Sequence, residues 1–428
     1  MPSTSKLLKE VSNDLRPEGI PPSVEPFLAT LNSSLRKNRY DAKAIAGGSI
    51  AKGTFLKEQH DIDIFVLFGK KHHDQDLSKL LEKVMKPFRP QRLHGSRDYF
   101  LVKRKINFEV VPVLKVQKPS QAKNITDVSP HHVTWVKKHL KKHPKLADDI
   151  RLAKQFNKAI CAYGAESFIG GFSGHVIDIL IIYYGGFIPL LKEAVKWKLQ
   201  QVIDPENAHK GKALFMLNKS KLSPLIVIDP LQPERNAAAA LTEEKKGRFS
   251  AAAKAFLKKP RRSFFELPSI TLDKKSSYII FDATPKAAKH DVAGARLRIA
   301  FGRLIKESRD KGFKVKQAVW EGTEGKSMFL LSFRPGVLSN EVIIQGPKTA
   351  MTHHAERFKR KHRHTFIKRG TLFATEKRKI KTLTQLNNYL LSVDVHGVKL
   401  EQGEKQRKNP QKSLCVHNIV DLLLFKSF

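Results

Sequence analysis

Cysteine is nearly absent, with Cys161 and Cys415 the two examples in 428 residues. They lie far apart without a set of partner ligands, so neither a disulfide framework nor a zinc site is expected, and a reducing compartment fits. A long apolar run is missing too. The most hydrophobic stretch, Val176 to Leu191, carries Asp178 and a Gly185-Gly186 break. A bilayer span needs about 20 apolar residues, so this stretch reads as a buried core helix. The opening MPSTSKLLKEVSNDLRPEGI has no signal-peptide core. The expectation is a cytoplasmic protein without a membrane partner. The third scarcity is negative charge: 40 Asp+Glu stand against 79 Lys+Arg, a net charge of +39. Such a chain repels itself and attracts polyanions. Its basic residues run the whole length, whereas a membrane anchor concentrates them in one tail or helix. Nucleic acid is therefore the expected partner.

Hydrophobic residues at 41% and charged residues at 28% suit a globular core with a wet surface. The length corresponds to about three domains of roughly 150 residues. Residues 1 to about 40 read as helical, and 44–46 as a short strand running into Gly47-Gly48-Ser49 and a helix or turn. DIDIFVLF, 61–68, is a strand by its alternation and β-branched content. A helix is predicted at 77–85 and strands at 99–103 and 106–113. Helices follow at 132–140, 147–163, 174–184 and 189–197, then a strand at 225–228 and a helix at 237–257. Residues 261–275 read as a linker. Beyond it come a strand at 278–283, a long helix at 291–311 and strands at 314–320 and 327–333. No internal repeat is present.

The chemistry concentrates where Gly47-Gly48-Ser49 is followed, eleven residues on, by Asp61-Ile62-Asp63-Ile64. Residues two apart share one face of a strand, so Asp61 and Asp63 project together and Ile62 and Ile64 face the core. Two such carboxylates repel unless a divalent cation sits between them. If the strand carrying Glu109 pairs beside them, a third acid joins. Three carboxylates can hold two Mg²⁺ about 4 Å apart, the arrangement of phosphoryl and nucleotidyl transfer. Gly47 and Gly48 let the backbone approach a triphosphate, and Ser49 offers a donor. Lys52-Gly53-Thr54 is not a Walker loop, because that motif needs Gly-Lys-[Ser/Thr].

These residues resemble the polymerase-β-like nucleotidyltransferase superfamily, whose pattern is Gly-[Gly/Ser] followed by Asp-x-[Asp/Glu]. More specifically, GGSIAKGTFLKEQHDIDIFVLF, INFEVVPV, DVSPHHVTWV, RLAKQFNKAICAYGAE, GGFSGHVIDILIIYYGGF and VIDPLQPERNAAAAL resemble, in order, segments of archaeal (class I) CCA-adding enzymes. Weaker resemblance runs through 282–320 and 346–391. It implies an α+β fold: a nucleotidyltransferase head with a mixed sheet at 1–130, a helical neck at 131–262, and an α/β RNA-binding body and tail at 263–428, the tail about 335–385. It implies catalytic, metal-binding roles for Asp61, Asp63 and Glu109, with two Mg²⁺. It places Ser49 and Lys52 beside Gly48 on the triphosphate, and His132, Lys154 and Tyr163 on the nucleotide. Arg235 falls where the family reads the incoming base. CTP and ATP are the implied substrates, and family members are commonly homodimers.

The basic stretch Arg357, Lys359, Arg360, Lys361, Arg363, Lys368 and Arg369 has the density that phosphate contacts need. The resemblance assigns it to the acceptor and TΨC arms of tRNA. Three positions depart from the family pattern. Glu109 stands where Asp is common, Val128 stands where an Arg follows Asp127, and His131 adds a second histidine beside His132. Two alternatives are distinguishable. A poly(A) polymerase-like enzyme would use ATP and ignore CTP. A decayed, non-catalytic RNA-binding protein would have lost carboxylates, and all three positions here remain acidic.

Overall fold

The computed structural model describes residues 4–58, 61–268, 277–286, 290–322, 327–334, 337–395, 397–403 and 418–419. Two compact units separate, one running to Pro268 and the other formed mainly by the residues after it.

The first unit opens with helices α1 (Thr4–Leu15) and α2 (Val24–Lys37). In α2, Val24, Phe27, Leu31 and Leu35 recur at helical spacing and are all buried. Then come β1 (Ala42–Ala46), α3 (Gly48–Lys52), β2 (Asp61–Phe68), α4 (Leu77–Met85), β3 (Gln91–Leu93), β4 (Tyr99–Val102) and β5 (Asn107–Leu114). The strands form one sheet in the order β1-β2-β5-β4-β3. It is mixed as expected, since β2 pairs parallel with β5 and the other neighbours are antiparallel. The apolar face, including Ile62, Ile64, Phe108 and Val110, packs in one core with Phe27, Leu31, Leu81 and Val84 of α2 and α4. Phe27 stacks on Phe108 at 4.0 Å. That packing leaves Asp61 and Asp63 on the opposite face of β2.

Helices α5 (Ser129–Lys142), α6 (Leu146–Ala159), α7 (Gly174–Tyr184) and α8 (Phe187–Ala194) follow. Helix α6 ends four residues before the expected Tyr163. Cys161 takes a left-handed φ of 54°, and the chain then pairs Phe172 N–H with Ala162 C=O at 2.7 Å. The apolar run splits into α7 and α8 at Gly185, and it is buried: Val176, Ile177, Ile179, Leu180, Ile181, Phe187 and Leu190 join one core with Phe156, Phe249 and Phe256. No single helix among the described residues is long and apolar enough to cross a membrane.

Strand β6 (Gln201–Ile203), α9 (Ala213–Met216), β7 (Leu225–Asp229), β8 (Gln232–Asn236) and α10 (Glu243–Lys258) complete the unit. The last helix starts six residues later than its alanine-rich sequence suggests. The Asn236 side chain accepts from Val227 N–H and Ala238 N–H, each at 2.9 Å, and keeps the chain on β7. Thr242 then caps α10, accepting from Lys245 N–H. Arg235 therefore sits on a strand, not at a helix start.

The second unit contains β9 (Ser277–Pro285), α11 (His290–Asp310), β10 (Val315–Glu321), β11 (Ser327–Phe333), β12 (Glu341–Lys348), α12 (Thr352–Lys361), β13 (Thr365–Lys368), β14 (Thr371–Lys377), α13 (Leu383–Ser392), β15 (Val398–Gln402) and β16 (Asn418–Ile419). One sheet has the order β15-β9-β11-β10-β16, and a smaller one β12-β14-β13. Phe281, Leu297, Phe301, Trp320 and Phe329 are buried in this unit. The smaller sheet was not legible as strands in the sequence, because its lysines and threonines mask the alternation.

Candidate functional site

The parallel register of β2 and β5 places Asp63 opposite Glu109 and Asp61 opposite Asn107. Asn107 donates to the Asp61 carboxylate at 2.9 Å. The third acid thus joins the first two, as the conditional pairing required. Gly47 N–H donates to the Asp63 carbonyl at 2.8 Å, and α3 begins directly above the strand. Gly48 has φ 49°, and a Cβ there would collide with the Asp63 carboxylate. Burial pushes the Asp63 carboxyl above its ordinary range. Lys52 opposes that shift and Asp61 reinforces it.

Gly48→Ala is therefore expected to damage both structure and chemistry. The left-handed backbone alone costs a side chain about 1–2 kcal/mol, and the new methyl displaces the Asp63 carboxylate. A lowered thermal midpoint together with at least a tenfold slower transfer is the expected result. Unchanged values for both would contradict the close approach.

Lys52 and Lys154 converge on one buried acid. Lys52 Nζ lies 2.7 Å from Asp178 Oδ2, and Lys154 Nζ lies 3.8 Å from Oδ1. Lys154 also donates to the Thr54 carbonyl and hydroxyl at 3.1 and 3.2 Å. Burial lowers Lys154 to about 8. Burial would raise Asp178, but Lys52 and Lys154 outweigh it and hold the carboxyl below its usual range. The same two lysines also oppose the upward shift of Asp63, so they link Asp178 to the acids of β2.

A second buried acid, Asp229 at the end of β7, collects three donors. His132 Nε2 lies at 2.9 Å, His175 Nε2 at 3.2 Å and Arg235 Nη1 at 2.8 Å. The imidazoles lie 4.1 Å apart. Burial lowers His175 to about 4, so its ring is neutral at pH 7. Burial opposes ionisation of Asp229, yet His132 and His175 hold it well below the usual carboxylate range. His132, His175 and Asp229 are close enough to share a cation, but Arg235 already supplies a positive charge to the same carboxylate. This cluster is therefore distinct from the all-oxygen set on β2 and β5.

Gly48, Lys52, Asp63, His132, His175 and Arg235 line one cavity of about 320 Å³. His131 instead points its Nε2 to the Val116 carbonyl at 3.1 Å, so His132 is the histidine that faces the cavity. Val128 is buried, and Arg97 supplies the guanidinium on Asp127. Ser49 lies on α3 between Gly48 and Lys52. Lys154 shares Asp178 with Lys52. Burial raises the Tyr163 hydroxyl far above its usual range, so it stays protonated, and Lys158 Nζ lies 5.4 Å from its ring. In the second unit, Arg357, Lys359, Arg360 and Lys361 on α12, Arg363 after it, and Lys368 and Arg369 at the β13–β14 turn are all exposed.

His175, Asp178 and Asp229 were not singled out from the sequence as site residues. Two left a trace: Asp178 interrupts an apolar run, and Asp229 closes an apolar strand. An unexplained acid in such a run is a partnered acid in waiting, because an unpaired buried carboxylate is too costly.

Comparison with known proteins adds three consecutive matches. Residues 28–151 match the nucleotidyltransferase domain family, 148–266 the second domain of tRNA nucleotidyltransferase, and 276–403 the C-terminal domain of CCA-adding enzyme. A CCA-adding enzyme of Nanoarchaeum equitans is 44% identical over 214 residues, covering 49% of this chain and 53% of the relative. That of Methanothermobacter thermautotrophicus is 28% identical over 388 residues, covering 86% and 83%. That of Saccharolobus solfataricus is 29% identical, covering 72% of each. Among solved structures, a cytoplasmic RNA terminal U-transferase superposes with a TM-score of 0.51 at 14% identity, covering 62% of this chain and 99% of that one. At that identity the likeness speaks for the nucleotidyltransferase fold alone.

Proposed function

The chain belongs to the CCA-adding tRNA nucleotidyltransferases, and on that premise we propose that it adds C, C and A to the 3′ end of tRNA from CTP and ATP. The observation that carries the chemistry is the register of Asp63 against Glu109, beside Asp61, with Asp63 lining a cavity together with Lys52, His132 and Arg235.

A divalent ion suits this site on the donor set and on the space. All three ligands are carboxylate oxygens, the preference of a hard cation such as Mg²⁺. Gly48, lacking a Cβ, leaves the Asp63 carboxylate its place against the start of α3, at the cavity that both residues line. Asp61, Asp63 and Glu109 would hold two such ions, and Glu109 is one methylene longer than the aspartate common in the family. Bound there, Mg²⁺ supplies charge neutralisation at the α-phosphate and acidifies the attacking hydroxyl.

The chain's own groups do the positioning. Lys52 lies at the cavity wall, where it contacts the triphosphate, with Lys154 and Asp178 fixing its place. Tyr163 and Ser49 offer hydroxyl donors. His132 and Arg235, held by Asp229, face the nucleotide, and Arg235 reads the base. The primer's 3′ oxygen bonds to the α-phosphorus as the bond to the β-phosphate oxygen breaks, releasing pyrophosphate. The exposed basic residues of α12 and the β13–β14 turn engage tRNA phosphates along the acceptor and TΨC arms, a contact by backbone and shape that accepts every tRNA sequence. In this scheme residues 1–130 act as head, 131–262 as neck and 263–428 as body and tail.

Single-nucleotide incubations test the proposal. With tRNA lacking its last three nucleotides, CTP alone adds two residues and ATP alone adds none. With tRNA ending in CC, ATP adds one. Open-ended ATP tails on either substrate would replace this function with that of a poly(A) polymerase.

A further inference from the structure

We propose that the exposed apolar face of α9, set among lysines, is a stacking platform for the single-stranded 3′ end of the RNA substrate. The inference rests on the proposed activity and extends it to a surface that the cavity does not include.

One residue of α9, together with the leucine directly after the helix, packs into the core. Ala213 and Leu217 are buried at 2% and 5% exposure, packed with Ile226 and Ile228 of β7. The three residues between them turn outward: Leu214 is 40%, Phe215 88% and Met216 69% exposed. A phenylalanine so fully in water contributes nothing to folding, and contiguous exposed apolar groups mark contact sites. Lys210, Lys212, Lys219 and Lys221 flank the helix and are all exposed. No acidic residue occurs between Glu206 and Asp229.

The segment is also tied to the elements that carry the nucleotide site. The Asp204 carboxylate accepts from Ala208 N–H and His209 N–H at 3.0 and 2.8 Å. His209 Nε2 bonds the Pro233 carbonyl at 2.7 Å, two residues before Arg235. Trp135 Nε1 donates to Glu206 at 2.9 Å, from the helix that carries His132. Ile228, beneath α9, directly precedes Asp229. The platform and the cavity thus share one framework.

The charge selects the occupant. An aromatic ring beside a track of lysines is how proteins hold single strands without reading sequence, because every base has a face to stack. That tolerance suits a primer whose terminal base changes at each addition. A second protein surface is the poorer fit, since lysine is depleted at such interfaces.

The test uses the full chain with Phe215→Ala, Phe215→Trp and the double variant Lys210→Ala/Lys212→Ala. Binding of a fluorescein-labelled single-stranded oligoribonucleotide is followed by anisotropy across a salt series, alongside steady-state kinetics. Phe215→Ala should weaken oligoribonucleotide binding about tenfold and raise the KM for tRNA, with kcat, the KM for CTP and the thermal midpoint unchanged. Phe215→Trp should bind at least as tightly as the parent. The lysine variant should flatten the salt slope, by about 0.7 for each phosphate no longer neutralised, whereas Phe215→Ala leaves the slope unchanged. Unaltered oligoribonucleotide binding by Phe215→Ala would overturn the proposal. So would a halved mass in light scattering without an RNA defect, which would make the face a subunit contact. If the parent protein adds no nucleotide, the proposed activity fails, and the anisotropy arm still decides the platform.

Discussion

Asp63→Asn is expected to lower nucleotidyl transfer about a thousandfold or more while leaving the protein as stable as before, or more so. The two halves have one cause. Asp63 lies opposite Glu109 on the polar face of the sheet and under Gly48, where burial and the neighbouring Asp61 push its carboxyl upward. A group whose pKa is raised by folding costs stability when ionised, at every pH above its unfolded value. The isosteric amide removes that cost. It also removes the negative oxygen that a divalent ion needs, and such ions supply several kcal/mol of transition-state stabilisation. At about 1.4 kcal/mol per tenfold, that is roughly three orders of magnitude. Incorporation of labelled CTP and a thermal melt of the same preparation check both halves. Full activity in Asp63→Asn, or a chain that fails to fold, would contradict the role of this carboxylate.

Asp178→Ala should do the opposite, destabilising the protein before the chemistry is even considered. The acid is buried beneath Lys52 and Lys154, whose side chains are only 9% and 5% exposed. Removing one partner of a buried ion pair leaves uncompensated charge and costs about 3–5 kcal/mol. The loss has a pH signature. Lys154 is already lowered to about 8 by burial, and without Asp178 it falls further. A lysine depressed in the folded state releases its proton on folding, so stability rises with pH across that window. The deficit of Asp178→Ala relative to the parent should therefore grow as the pH falls below about 8. Urea denaturation at pH 6 and pH 9 measures it. A loss under about 1 kcal/mol at both, with no pH trend, would show that the lysines do not depend on Asp178.

The acidic strand β2 was legible because two physical demands coincide in a few residues. Ile62 and Ile64 must face the core, so Asp61 and Asp63 cannot. Glycine must precede them, because α3 sits too close to Asp63 for a side chain. What the sequence leaves open is partnership across long separations. Glu109 joins the other acids only through a parallel register, which local pattern does not encode. Asp229 meets His132 across almost a hundred positions, and Asp178 meets Lys52 across more, so neither pair has a sequence period to betray it. The helix boundaries at Ala159 and Glu243 moved for a related reason. A left-handed Cys161 and the side-chain bonds of Asn236 override helical propensity from outside the segment.

The resemblance carried the remainder. His132 was one of two adjacent histidines, and the fold separates them by sending His131 to a backbone carbonyl. The basic residues from Arg357 to Arg369 lie exposed on a helix and a hairpin turn, and their density favours RNA contact over a merely solvated basic face.

The most direct test of the central claim is to sequence the 3′ ends made by the pure protein from Mg²⁺, CTP, ATP and a tRNA transcript lacking its last three nucleotides. The expected result is a single class of product ending in CCA, three nucleotides longer than the substrate. Products of indefinite length, a single repeated base, or no addition at all would contradict it.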